Sequence, residues 1–151
     1  MFRFFLAVVL SIASAGAASA DGALSRTGMG KGSGADGFRP FDAMVSQYNA
    51  SGETFRIDSH CQSACTLFLS IRSVCVTPDA TLLFHAGHTL GPARQINGAA
   101  TAHMMAAYNG RLRSYLTAGG YMDTLAFHSI SGWRSANRFA AFRILREDSV
   151  S

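Results

Sequence analysis

The sequence predicts a small α/β domain, and three observations carry that prediction. Thr54-Phe55-Arg56-Ile57-Asp58 alternates in the manner of a half-buried strand. Val74-Cys75-Val76 and Thr81-Leu82-Leu83-Phe84 are short β-type runs separated by the turn residues Thr77-Pro78-Asp79-Ala80. Helical stripes stand between and around these runs, so repeated β-α units and parallel strand pairs follow. Only two or three strands are visible, which makes the sheet small.

Ahead of the domain, Met1-Phe2-Arg3 is a basic start, Phe4–Ala13 a ten-residue apolar run, and Ala18-Ser19-Ala20 a small-x-small site. That is the order of a signal peptide, with cleavage expected after Ala20, and the run is short of the roughly twenty apolar residues that span a bilayer. Residues 1–20 are therefore read as the signal and 21–37 as a leader rich in Gly, Ser and Ala. Residues 38–151 are one domain, exported to the periplasm or secreted, with no membrane association after cleavage. Removing the signal leaves about 130 of the 151 residues, enough for a single core.

The formal net charge is +4, and loss of Arg3 brings it to +3. Arg111, Arg113, Arg134, Arg138, Arg143 and Arg146 are scattered over the second half, so nucleic acid is not an expected partner.

Phe38, Phe41, Met44, Val45 and Tyr48 fall on one helical stripe, with Asp36 placed to cap it, Pro40 in its first turn and Gly52 at its end. Residues 62–71 read as a short apolar helix and Ala99–Thr117 as a long one, with Met105, Tyr108, Leu112, Tyr115 and Leu116 inward and Gly119-Gly120 as its stop. Further short helices are expected over Tyr121–Phe127 and Phe139–Leu145. Of three cysteines, Cys61 and Cys65 would stack if their stretch is helical. Either can reach Cys75 across a helix–strand contact, with Cys61–Cys75 the pairing preferred; export permits the bond and an odd count leaves one thiol over.

The order strand, Ser63, apolar helix, strand, His85 can carry chemistry. A serine at a strand-to-helix corner sits where free backbone N–H groups favour an oxyanion, and a histidine at a neighbouring strand end can take its proton. Cys61-Gln62-Ser63-Ala64-Cys65-Thr66, then Pro78-Asp79-Ala80, then Phe84-His85 resembles the C-x-S-A-C-T…P-x-A…F-H signature of predicted periplasmic proteins of the Clp protease/crotonase superfamily. The resemblance spans roughly residues 32 to 125 and is densest from Cys61 to His85.

It implies a small Clp protease/crotonase-like domain and a serine hydrolase of peptidase type, with Ser63 as nucleophile and His85 as base. Backbone N–H groups of Ala64 and Gly34 would form the oxyanion site. Its partners would be a peptide or acyl substrate, and copies of itself, since peptidases of this type work as oligomers. No cofactor is implied. The chain departs from the family in two places. Residues 21–31 show no strand ahead of the Gly-rich loop, and the acid expected after the histidine has only Asp123 as its nearest counterpart.

Two other classes of function remain. One is a catalytically inactive relative that binds a peptide or acyl group. The other is a metal-binding protein using His60, Cys61, Cys65, His85 and His88, which carry imidazole and thiol ligands but no CxxC or HExxH spacing.

Overall fold

The computed structural model of the chain, which describes residues 18–19, 37–89 and 92–132, is built on two three-stranded sheets. The expected Gly-rich leader up to residue 36, Gly34 included, and everything from Trp133 onward lie outside the described residues. So do the cap at Asp36 and the helix expected over Phe139–Leu145.

In the first sheet, β2 (Phe55–Ile57) lies between β1 (Ala18–Ser19) and β4 (Val74–Val76), all parallel. In the second, β5 (Thr81–Phe84) lies between β3 (His60–Gln62), parallel to it, and β6 (His128–Ser131), antiparallel. The α/β class is as expected, with small mixed sheets. Cleavage after Ala20 would remove β1 and leave β2 and β4 paired without it.

Helix α1 (Arg39–Ser51) follows the predicted stripe, with Pro at its start and Gly52 at φ 74 closing it through an N–H donated to the Tyr48 carbonyl. Its Phe41 ring lies 5.6 Å from that of Phe68, which in turn is 4.7 Å from Phe55. Phe68 belongs to a 3₁₀ helix, Ser63–Ser70, whose residues Cys65 to Leu69 are all buried. One fully buried ring thus joins α1 to the first sheet, and burying such a side chain contributes about 1.5–3 kcal/mol.

The single helix expected from Ala99 to Thr117 is two. Helix α2 (Gly98–Ala107) and helix α3 (Gly110–Ala118) are separated at Tyr108, whose ψ of 147 is extended. The reason is Asn109: its side chain accepts the Leu112 N–H at 3.0 Å and starts a fresh helix. In α2 the buried methionine is Met104, and Met105, expected inward, is only partly buried against the core. After α3, Gly120 takes φ 63, with Tyr121 N–H donating to the Leu116 carbonyl and Gly120 N–H to that of Thr117. That double bond pattern reverses the chain. Turns and bends therefore occupy residues 119–126 where a short helix was expected, and they deliver β6 to the free side of β5.

Asn109→Ala should lower stability by about 1 kcal/mol. Equilibrium denaturation would show it as a reduced midpoint with unchanged slope.

Candidate active site

Ser63 and His85 leave the same edge of the second sheet. β3 and β5 run parallel with Cys61 beside Leu82 and Gln62 beside Leu83. Ser63 is the next residue on one strand and His85 the second next on the other. Neighbouring strands lie about 4.8 Å apart, so the register alone brings both backbones to one place.

Ser63 is half-buried and has φ 55, the left-handed region, alone among the non-glycine residues described. A side chain there costs on the order of 1–2 kcal/mol and needs surroundings that hold it. Ser63 opens the 3₁₀ helix, and Gln62 ahead of it gives no side-chain cap, so the first-turn N–H groups, that of Ala64 among them, are left for other acceptors.

The disulfide is Cys61–Cys65, with Cα atoms 5.3 Å apart, and not the expected Cys61–Cys75. The sheets explain the correction. Cys61 is in β3 and Cys75 in β4, which belong to different sheets, so no strand contact brings them together. Nor do Cys61 and Cys65 stack on a helix, since Cys61 is in the strand and Cys65 in the 3₁₀ helix. The bond closes a five-residue ring with Ser63 at its centre; a ring this short constrains the unfolded chain by about 2 kcal/mol.

Two further groups hold the corner, and sequence reasoning missed both. The Thr66 hydroxyl donates to the Ser63 carbonyl at 2.6 Å, and the Tyr108 hydroxyl lies 2.6 Å from that of Thr66. Thr66 has one proton and it is used on Ser63, so Tyr108 donates in turn. Burial raises the Tyr108 pKa far above its ordinary value, which keeps that donor protonated. Tyr108 occupies the break between α2 and α3, so the unexpected break is what aims it.

His85 is 3% exposed, and among the described residues neither ring nitrogen has a hydrogen-bond partner. Its ring meets Phe127 edge-on at 4.6 Å and lies 5.5 Å from that of His88. The segment is fixed through its backbone. Ala86 N–H donates to Thr124 O at 2.8 Å, and Gly87 N–H to the Thr101 hydroxyl at 2.9 Å. A Cβ on Gly87 would stand 2.5 Å from that of Ala100, so only glycine lets the loop cross the start of α2. Asp123 is exposed one residue before Thr124: its loop reaches the His85 segment, but its carboxylate does not bond the imidazole.

No protein-family model matches the chain, and no curated protein matches it.

The remaining histidines have other contacts. His60 bonds Gln62 at 3.3 Å, His88 the Thr89 carbonyl at 2.8 Å, His103 Asp42 at 3.1 Å and His128 the Tyr115 hydroxyl at 3.2 Å. The disulfide takes two of the five ligands that a metal reading would use. Among the described residues no three His, Cys, Asp or Glu side chains are placed to hold one ion.

Burial lowers the His85 pKa, and the charges of His88 and Arg94 lower it further. The ring is therefore neutral near pH 7 and able to accept a proton. A histidine with a depressed folded pKa stabilises the fold fully above its unfolded value, near 6.5, and that contribution is lost as pH falls through the folded pKa.

Two outcomes follow. Tyr108→Phe should cost about 1–2 kcal/mol in equilibrium denaturation, because the buried Thr66 oxygen loses its donor. Stability should fall as pH drops below 6.5, and by less in His85→Gln, when denaturation midpoints at several pH values are compared.

Proposed function

We propose that the chain is an exported serine hydrolase of Clp protease/crotonase type, which transfers an acyl group to water. The observation that carries this reading is the left-handed backbone of Ser63 at a strand-to-helix corner, on the sheet edge that also releases His85. Glycine takes that conformation without strain and serine does not, so a hydroxyl at this point is gained against a conformational cost.

In this mechanism Ser63 Oγ attacks the carbonyl carbon of a peptide or acyl substrate while His85 takes its proton. The tetrahedral oxyanion accepts hydrogen bonds from the Ala64 N–H and, by the resemblance, from Gly34. His85 returns the proton to the leaving group as the intermediate collapses. It then draws a proton from water, which attacks the acyl-serine. It gives that proton to Ser63 Oγ as the C–O bond to the serine breaks, releasing the acid and restoring both residues. Asp123 is the acid nearest in sequence to the orienting role, which requires its carboxylate to turn onto the ring. Export accords with the Cys61–Cys65 disulfide, a bond that persists in oxidising compartments. No helix among the described residues is long and apolar enough to cross a membrane.

One observation favours a second reading, a relative that binds a peptide or acyl group without cleaving it. No described carboxylate fixes the His85 tautomer, and loss of that group in a triad lowers the rate by about 10⁴-fold.

A fluorophosphonate probe separates the two. The hydrolase should be labelled at Ser63, with labelling abolished in Ser63→Ala and strongly slowed in His85→Ala. Its rate should decline on an acid limb lying below pH 6.5. A folded protein that takes no label is the binding relative.

A further inference from the structure

We infer that the Cys61–Cys65 disulfide is a positioning element for Ser63, so that the corner, and the reactivity of its hydroxyl, follow the thiol–disulfide state of this pair. The reactivity part rests on the hydrolase reading; the conformational part does not.

Ser63 stands two residues from each bonded cysteine, and among the described residues it is the non-glycine residue held at positive φ. Both ends of the ring are anchored. Cys61 is buried in β3 beside Leu82, and Cys65 is buried in the 3₁₀ helix among Thr66, Leu67 and Phe68. With its ends anchored and its chord closed by the S–S bond, the ring limits the backbone paths open to Gln62, Ser63 and Ala64. The Thr66 hydroxyl restrains the Ser63 carbonyl from one further side. Opening the disulfide leaves that hydrogen bond and the two anchored ends, without the covalent chord between them, against a conformation that serine disfavours. Relaxation to negative φ swings Cβ, and with it the hydroxyl, away from where it stands relative to the Ala64 N–H and to His85.

Reduction needs a dithiol. Its thiolate attacks one sulfur, the mixed disulfide is displaced by the second thiol, and the products are thiols at Cys61 and Cys65 and an oxidised reductant. Both cysteines are buried, at 0% and 1% exposure, so a Cys61→Ala/Cys65→Ala variant accompanies reduction in the test.

The experiment compares the purified oxidised chain, the chain after dithiothreitol, and the double variant. The one-bond Cα–Hα coupling of Ser63, which separates positive from negative φ, is read alongside the fluorophosphonate labelling rate. Amide dispersion of the core reports folding in each sample. The expected result is a coupling that moves to the negative-φ value in the reduced chain and the variant. Labelling should fall by about a hundredfold in both and be restored by reoxidation in the wild-type chain alone. An unchanged Ser63 coupling in either folded sample overturns the inference, as does labelling that proceeds at the same measurable rate in the oxidised and reduced chains. A coupling that moves in a chain that never labels upholds the positioning role and removes the hydrolase reading instead.

Discussion

The parallel pairing of β3 with β5 is the constraint on which the candidate site depends. Parallel strands end at the same edge, so whatever follows Gln62 and whatever follows Phe84 must emerge side by side. A one-residue slip would move His85 along the edge and turn the buried side chains of Leu82 and Phe84 toward the other face. The core therefore enforces the register that the site needs. β6 adds to this from the far side: it pairs antiparallel with β5 over all four residues, so the central strand is held along both edges.

Within that frame the corner at Ser63 is a local departure from what serine favours, and the structure surrounds it with restraints of different kinds. The disulfide is covalent, the Thr66–Tyr108 pair is a buried hydrogen-bond chain, and the apolar 3₁₀ helix is held by the core around Phe68. The chain of hydroxyls also ties the corner to α2 and α3, because Tyr108 is the residue at which one helix stops and the other has not begun. A fold this small has few elements to spare, and here a helix break serves the same corner as a strand end.

Sequence reading reached the elements whose signals are local. The stripe of α1, the strands at 55–57, 74–76 and 81–84, and the stop at Gly119-Gly120 are all written in periodicity or turn residues. What it did not reach was set by tertiary pairing. β3 and β6 are strands because β5 gives them a ladder; Ser129, Ser131 and His60 carry no β signal of their own. The break at Tyr108 was legible in principle, since Asn109-Gly110 is cap chemistry, but an apolar stripe running through it hid the signal. The disulfide was not legible, because which cysteines meet depends on sheet membership. Ser63 and His85 could be named from spacing and resemblance, whereas Thr66 and Tyr108 are 42 positions apart and nothing in the sequence links them.

The state of His85 bears most directly on what such a site can do. A buried imidazole whose nitrogens have no hydrogen-bond partner among the described residues is an expensive group, since polar atoms removed from water normally find a partner. Its neighbours, Phe127 edge-on and His88 alongside, offer contact and no hydrogen bond. A histidine kept only for packing would be better replaced by an apolar ring of similar size, which loses no hydrogen bonds on burial. In the hydrolase reading proposed above, the group this ring would accept a proton from is the Ser63 hydroxyl, which emerges at the same strand ends. On that reading the buried imidazole and the left-handed serine are two costs of one device, since each disfavours the folded chain taken alone.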